Sequence, residues 1–341
     1  MDIYLQASGS RLRVRDGIFE VTVPDRTGSN RHLAESFPAH EVNSIMLQPG
    51  ASVSSDALLL ALAKDTDVFI LDKFGDIHGR FLSNRPNSTL EIWKNQLRMS
   101  TSPDGLDLAK KWVELKVMEQ LAHLSDLKKY RDLDKVAVIN QAQQQINELL
   151  LKMRKINAHA HPDTAAASIR GYEGSISSVY FHTLSFLLPP EYQFGSKDKQ
   201  PVSDLFYAFL FYGYGILYRL VEKALLMAGV HPYIGFMHRD GYQRKSMVFD
   251  FIEPYRIWVD RVVFKMFSGK RVSMQFAIEE PQSGLRLNED ARRLIRDSLQ
   301  QLMKDQKKAI KNRSFPLELF LREQAIEFAA LLRSPLPPKN S

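Results

Sequence analysis

The spacing of apolar residues changes once along this chain, at Arg85-Pro86-Asn87, and this change constrains the fold more than any other feature. Before it, apolar and polar residues alternate in short runs such as 19–23, which is the period of a strand with one buried face. After it, apolar residues recur at helical spacing with Lys and Glu between them, as in 106–124. The chain is therefore expected to be α+β, with a small, sandwich-like β-rich domain over residues 1–85 and a larger all-α domain over residues 86–333.

Local signals support this division. Asp16-Gly17 stands between two alternating runs and is typical of a hairpin turn. Ser54 or Ser55 can cap a short helix that ends near Leu62. In the second domain the pattern predicts helices over residues 90–99, 106–124, 134–154, from 163 or 164 past Glu173, 203–229, 247–267, 288–310 and 316–332. The Pro-rich tail, 334–341, is expected to be disordered.

Composition narrows the possible partners and compartment. The 46 basic and 39 acidic residues give a formal charge of +7, which favours a polyanionic partner. An anionic membrane fits the same charge, but no basic amphipathic anchor stands out, so we favour nucleic acid. Cysteine is absent, which excludes disulfides, zinc-thiolate sites and cysteine nucleophiles and fits a reducing compartment. The N-terminus shows no secretory signal and the apolar run 205–218 is too short to span a bilayer, so a cytoplasmic protein without membrane association is expected.

The segment 235–256 carries the most chemistry. It places His238, Asp250 and Glu253 in one short apolar stretch, and Glu173 lies upstream in Gly171-Tyr-Glu-Gly174. One imidazole with several carboxylates is a ligand set for Mg²⁺ or Mn²⁺. Such an ion beside a basic surface points to phosphodiester chemistry on nucleic acid.

Each of these residues also has a plain structural explanation. Asp250 and Glu253 are three apart, which puts both carboxylates on one face of a helix among apolar neighbours. Burying them requires a compensating cation, and that cation is either a metal ion or Arg256, three residues after Glu253. His238 alone is more often a packed histidine, and Glu173 alone is more often a surface residue. These alternatives stay open on the residues alone.

Six motifs, taken in order, resemble one known family over nearly the whole chain, the CRISPR adaptation integrases or Cas-one nucleases. The motifs are Pro38-Ala-His-Glu-Val-Asn-Ser-Ile45, Gly50-Ala-Ser-Val-Ser-Ser-Asp56, Gly171-Tyr-Glu-Gly174, Tyr212-Gly-Tyr-Gly-Ile-Leu217, Gly229-Val-His-Pro-Tyr-Ile-Gly-Phe-Met-His238 and Val248-Phe-Asp-Phe-Ile-Glu-Pro-Tyr-Arg256. The sequence departs from the family at Tyr207, where Asn is usual, at His231, where an acidic residue is common, and at Ile257, where Pro is common. These departures bear on subtype and DNA contacts.

The resemblance implies an enzyme whose metal ligands and catalytic residues are Glu173, His238 and Glu253. Asp250 falls on a nearby acidic position that supports these ligands. The implied cofactor is Mg²⁺ or Mn²⁺. The implied reaction is insertion of captured DNA fragments into the CRISPR repeat by 3′-hydroxyl transesterification, with hydrolysis when water attacks instead.

The resemblance also implies partners. Family members are homodimers, and by the resemblance dimerisation is expected of the N-terminal domain here. They also pair with the small second CRISPR adaptation protein. The chain begins close to its first strand, so no fused reverse transcriptase is expected upstream. Basic candidates for DNA contact are Arg239, Arg244, Lys245, Arg256, Lys304, Lys307, Lys308 and Lys311, although charge runs such as the last four are usually solvated helix faces.

Two other functions stay open on the sequence. One is an unrelated metal-dependent nuclease that only hydrolyses DNA. The other is a non-catalytic DNA-binding scaffold in which the acidic cluster is structural.

Overall fold

The computed structural model describes residues 1–24, 32–82, 89–129, 131–159, 162–195, 204–238, 244–280, 284–310 and 312–333. The chain divides into two compact units, Met1–Asn87 and Ser88–Ser341. The tail that the sequence predicts to be disordered, 334–341, lies outside the described residues. In the part of the chain that is described, no helix has the length and apolar character needed to cross a membrane.

The first unit contains two four-stranded sheets and one helix among its described residues. In chain order the elements are β1 (Asp2–Leu5), β2 (Arg11–Arg15), β3 (Ile18–Pro24), β4 (His32–Phe37), β5 (Ser44–Leu47), β6 (Ser52–Val53), α1 (Ser55–Ala63), β7 (Asp67–Leu71) and β8 (Ile77–Phe81). One sheet has the order β1-β5-β7-β8, with the first two pairings parallel and the last antiparallel. The other has the order β4-β3-β2-β6, with only the β2–β6 pair parallel.

The turns and caps in this unit follow their sequence signals. Asp16 and Gly17 adopt positive φ values of 52° and 77° and join β2 to β3 in a two-residue hairpin. The side chain of Ser54 accepts a hydrogen bond from the backbone N–H of Ala57 at 3.3 Å and so caps α1. The core joins the inner faces of both sheets to α1 through Leu12, Phe19, Ile45, Val68, Ala57 and Ala61.

The second unit is mainly helical. Its helices are α2 (Thr89–Ser100), α3 (Pro103–Leu127), α4 (Leu133–Arg154), α5 (Pro162–Leu187), α6 (Leu205–Met227), α7 (Ser246–Phe251), α8 (Arg256–Ser268), α9 (Glu289–Asp305) and α10 (Leu317–Arg333). Two hairpins accompany them, β9 (Ala277–Glu280) with β10 (Gly284–Leu287) and β11 (Lys307–Ile310) with β12 (Arg313–Pro316). The α+β class is confirmed, but the expectation of an all-α second domain is wrong in detail because of these hairpins.

Two helix boundaries also differ from expectation. The helix expected over 247–267 is interrupted by a 3-10 turn at Glu253–Tyr255. Pro254 lies in that turn, and it has no N–H to continue the α-helical ladder. The helix expected over 288–310 ends at Asp305, and the chain then forms β11, where Lys307 pairs with Pro316.

Helix α3 lies against α5 and the 3-10 turn, and this arrangement positions the functional side chains. Its buried stripe follows helical spacing through Leu106, Ala109, Val113 and Val117. Lys116, which is 6% exposed, lies on the same buried stripe. A lysine is almost never buried unless it is paired, so its partners mark a polar site inside the unit.

Candidate active site

Asp250, on α7, is a buried carboxylate whose oxygens are occupied by fixed protein donors. Its Oδ2 accepts hydrogen bonds from the backbone N–H groups of Phe236 at 2.6 Å and Met237 at 3.0 Å. Its Oδ1 accepts from the backbone N–H of His238 at 3.2 Å and lies 2.6 Å from Nδ1 of the same residue. The carboxylate therefore fixes both the turn before His238 and the orientation of its ring.

The ring of His238 presents its other nitrogen for binding. Because the carboxylate of Asp250 accepts only, the contact assigns a proton to Nδ1, and Nε2 of a neutral ring carries the lone pair. This carboxylate–imidazole pairing is the arrangement that orients histidine ligands of metal ions. The side chain of His238 is 20% exposed and lines a cleft.

That cleft has a volume of about 1180 Å³ and is lined by charged and aromatic side chains. Glu173 of α5 and His238 both line it, together with Arg244 and Arg256. Tyr207, which departs from the family pattern, also lines it. The Tyr207 ring is 4% exposed and stacks on that of the more exposed Phe211, with 5.9 Å between ring centres.

Lys116 joins the two glutamates that the sequence analysis singled out. Its Nζ donates a hydrogen bond to Oε1 of Glu173 and lies 2.7 Å from Oε2 of Glu253. Glu253 Oε2 is buried without a hydrogen bond, so this second contact is an ion pair with poor hydrogen-bond geometry. Glu173 Oε1 also accepts from the hydroxyl of Ser177 at 3.0 Å. The two carboxylates thus converge on one cation.

Arg256 holds the other oxygen of Glu253. Its Nε donates to Glu253 Oε1 at 2.8 Å, and its Nη2 donates to the hydroxyl of Tyr218 at 2.7 Å. The guanidinium also lies over the ring of Tyr214, 4.9 Å from the ring centre. The ion pair that competed with a metal ion in the sequence analysis is therefore present, but it uses only one of the two carboxylate oxygens.

The charges in this cluster reinforce one another. Burial raises the pKa of Glu253, but the nearby charges of Arg256 and Lys116 outweigh this and bring it down to about 2. Burial also raises the pKa of Glu173, and the charge of Lys116 more than reverses that effect. Burial lowers the pKa of Lys116, whereas Glu253 and Glu173 raise it to a net value above the ordinary one. All three groups are therefore charged at neutral pH.

The donor chemistry of the site fits a hard divalent ion. Glu173 and Glu253 each direct an oxygen to one point that already holds a cation, and the buried Oε2 of Glu253 has no hydrogen bond. His238 opens Nε2 into the cleft that Glu173 lines. As the side chains stand, no three Asp, Glu or His residues within the described ranges are close enough to hold an ion, and the ammonium of Lys116 contacts both glutamates. The ligand set therefore stays a prediction.

Comparison with known proteins places the chain in a family. Residues 3–301 match the model of the family described as CRISPR associated protein Cas1. The chain belongs to the Cas1 family. A curated Cas1 relative, the CRISPR-associated endonuclease Cas1 1 of Archaeoglobus fulgidus, is 30% identical over 303 residues, which cover 86% of this chain and 87% of that protein. The predicted family membership is confirmed.

Solved structures share the fold. A casposase bound to integration product superposes with a TM-score of 0.71 at 20% identity, covering 98% of this chain and 95% of that one. A chain of a partial Cas6-RT-Cas1–Cas2 complex gives 0.70 at 19% identity, covering 97% and 95%. At these identities the similarity concerns the Cas1 fold, including its strands followed by helices.

The basic residues proposed to contact DNA fall into different surroundings. Arg244 is exposed at the cleft and lies over the ring of Phe249 at 4.9 Å, whereas Lys245 pairs with Glu222 at 2.8 Å. The side chain of Arg256 is 15% exposed and pairs with Glu253. On the late segment, Lys304 lies in the last turn of α9, and Lys307 and Lys308 lie on β11, so the expected single helix face is wrong. Lys308 pairs with Glu119. Arg239 and Lys311 lie outside the described residues.

The sequence analysis did not single out Lys116, the residue that joins the site. The sequence does contain one indication of it. Lys116 is a charged residue on the buried apolar stripe of α3, next to Val117 and three residues after Val113. Gln120 follows at the next buried position and carries two polar atoms without hydrogen bonds among the described residues. Such polar residues on an apolar stripe indicate a buried site, but the stripe alone does not identify their partners.

Proposed function

We propose that this chain is a metal-dependent DNA integrase and endonuclease of CRISPR adaptation. Its role as an enzyme of CRISPR adaptation accords with its membership of the Cas1 family, with the curated Cas1 endonuclease relative and with the casposase neighbour. The dependence on a metal ion rests on one observation of the site. Glu173 and Glu253 direct their oxygens to a single cation position beside the cleft into which His238 opens.

The residues that would hold Mg²⁺ or Mn²⁺ are Glu173, His238 and Glu253. When bound, the ion would supply Lewis-acid polarisation of a phosphoryl oxygen and charge stabilisation at the attacking or leaving oxygen. Asp250 keeps the ring of His238 oriented with Nε2 toward the cleft. Arg256 retains Oε1 of Glu253 and so leaves Oε2 as the oxygen directed to the cation.

The cleft is suited to a polynucleotide backbone. Gly174, next to Glu173, lines it, and no described atom lies within 4 Å of the position where a Cβ would stand. The exposed guanidinium of Arg244 at the same cleft can donate two parallel hydrogen bonds to a phosphate. Among the aromatic rings along the wall, that of Phe211 is 36% exposed and offers a surface on which a base can stack.

The proposed reaction is a transesterification. A DNA 3′-hydroxyl attacks a phosphodiester of the repeat, a new phosphodiester forms, and the neighbouring 3′-oxygen leaves with a proton. One ester bond replaces another, so the step needs neither an energy source nor a covalent protein intermediate. When water takes the place of the 3′-hydroxyl, the same site hydrolyses the strand.

The partners of the proposed enzyme are DNA, as captured fragment and repeat, a second copy of the chain, and the small second CRISPR adaptation protein. The neighbour solved as part of a Cas6-RT-Cas1–Cas2 complex supports the last of these, and the casposase bound to integration product supports the first. We assign dimerisation to the N-terminal unit and action in the cytoplasm, away from membranes, as parts of the same proposal.

A strand-transfer assay tests the proposal. Labelled fragments with free 3′-hydroxyls are mixed with a repeat duplex and Mn²⁺, and the joined product is measured for the wild type, Glu173→Ala and His238→Ala. Both variants should lose at least about 100-fold in joining, since changes to residues that merely support a ligand cost 10–100-fold. Glu191→Ala is the matched control, because Glu191 is an exposed carboxylate that pairs with Lys270 at the surface at 2.9 Å.

The same assay separates the alternatives. If joining survives both changes, the metal site is wrong. Cleavage without joining by the wild type would favour a family member that acts only as a nuclease, and DNA binding without either reaction would favour a non-catalytic scaffold.

A further inference from the structure

Lys116 is enclosed by the two carboxylates that the proposed function assigns to a metal ion. Its side chain is 7% exposed, and its Nζ contacts Glu173 Oε1 and Glu253 Oε2. An oxygen-coordinated Mg²⁺ requires its ligands at about 2.0–2.1 Å. An ammonium in contact with the same two oxygens competes for that volume and repels a second positive charge.

The second cation of the cluster is anchored differently. Arg256 is fixed by Glu253 Oε1, by the hydroxyl of Tyr218 and by the ring of Tyr214. The described contacts of the Lys116 ammonium are with the two carboxylates, and its flexible four-carbon stem can reorient without movement of α3. If one cation leaves when another arrives, the contacts single out Lys116.

We propose that Lys116 is an exchangeable counter-cation, which neutralises Glu173 and Glu253 before the divalent ion binds and is displaced by it. This inference rests on the proposed metal site and adds to it. The lysine keeps the two carboxylates compensated without metal, and it weakens metal binding by the free energy of its own displacement. Metal occupancy and the position of Lys116 are therefore mutually exclusive states of one site.

Calorimetric titration of Mn²⁺ into the metal-free, full-length protein tests the exchange. Lys116→Met removes the competing charge and keeps most of the side-chain volume, and it should bind Mn²⁺ more tightly by on the order of tenfold, within the usual range of coupling between sites. Lys110→Met is the matched control on the same helix. Lys110 is also largely buried, but its Nζ contacts the carbonyl oxygen of Ile156 at 2.9 Å and Asp107 at 3.3 Å, and this change should leave the affinity as in the wild type.

The outcomes separate this inference from the function on which it rests. Equal or weaker Mn²⁺ binding by Lys116→Met overturns the exchange, while wild-type binding that is lost in Glu173→Ala still supports the metal site. No Mn²⁺ binding by any of the proteins overturns both.

A second measurement avoids the variant, in case Lys116→Met fails to fold. Wild-type protein is treated with an amine-labelling reagent with and without Mn²⁺, and the modified lysines are identified by mass spectrometry. Labelling of Lys116 should rise several-fold when Mn²⁺ is present, whereas labelling of Lys110 should not change. Equal labelling of Lys116 in both conditions overturns the exchange.

Discussion

Asp250 and Glu253 are three residues apart and equally hidden from solvent, yet the protein compensates their charges in different ways. Asp250, which is 1% exposed, is met by three backbone N–H groups and the ring of His238. Glu253, which is 4% exposed, is met by two side-chain cations, Arg256 and Lys116. Backbone donors are fixed in place by the fold, whereas a lysine ammonium can move away.

This difference assigns the two carboxylates different duties. Asp250 holds the turn that carries His238 and has no oxygen left for a ligand. Glu253 keeps one oxygen with Arg256 and directs the other to an exchangeable position. The desolvation penalty of a buried ion pair can cancel its electrostatic gain, so Glu253 and Lys116 need not stabilise the fold as a pair. Their presence inside the unit is therefore consistent with a role in binding.

The largest expected effect is a loss of stability when the carboxylate of Asp250 is removed. Asp250→Ala removes the acceptor of three backbone N–H groups, two of them buried and one part-buried. Each unsatisfied buried donor costs about 1–3 kcal/mol, so the free energy of unfolding should fall by about 3 kcal/mol or more. Urea unfolding in EDTA measures this. Asp126→Ala is the control, since Asp126 pairs with Arg261 at the surface and its loss should cost less than about 1 kcal/mol. Equal stabilities for the two variants would contradict the role of Asp250 in holding the turn that carries His238.

The second prediction concerns acid stability and the other carboxylate. The folded pKa of Glu253 is lowered from 4.5 to about 2, so its ionised form stabilises the fold above pH 4.5 and this contribution is lost as the pH falls toward 2. The contribution is on the order of 3 kcal/mol, from 1.36 kcal/mol for each pKa unit. Metal-free Glu253→Gln should therefore lose less stability than the wild type across this window. Parallel stability curves would sink the prediction.

The smallest expected effect comes from changing Gly174 to alanine, which should act differently on stability and on DNA binding. A glycine inside a helix costs about 0.5–1 kcal/mol relative to alanine, and a Cβ meets no described atom at either Gly174 or Gly171. Both Gly→Ala changes should therefore stabilise the protein by that amount in thermal unfolding. Gly174 lines the cleft and Gly171 is not among its lining residues, so only Gly174→Ala should also weaken DNA binding. Equal DNA affinity for both variants would mean that DNA does not approach the backbone of α5 at Gly174.

Much of the fold could be predicted from local patterns. The change from alternation to helical spacing identified the two parts of the chain, and the Asp16-Gly17 turn and the Ser54 cap followed their residue types. The interruption at Pro254 was not anticipated, because the apolar spacing continues through it. The β11–β12 hairpin was hidden by lysines that suit a helix as well as a strand, with Asn312 adopting a positive φ of 68° in the turn.

The site could be predicted only in part. The residue types and the family motifs pointed to Glu173, His238, Asp250 and Glu253, and in the structure Asp250 contacts the ring of His238. Lys116 was missed because its partners lie 57 and 137 residues away in sequence, and no local pattern reports such contacts. Periodicity places a lysine in the core, but only the three-dimensional packing of α3 against α5 identifies what it neutralises.

The most direct test of the account is anomalous diffraction from crystals of the wild-type protein soaked with Mn²⁺. The account predicts a manganese peak between Glu173, Glu253 and Nε2 of His238, with Nζ of Lys116 moved away from both carboxylates. Density that keeps Lys116 bonded to both glutamates, with no manganese peak between them at saturating Mn²⁺, would contradict it.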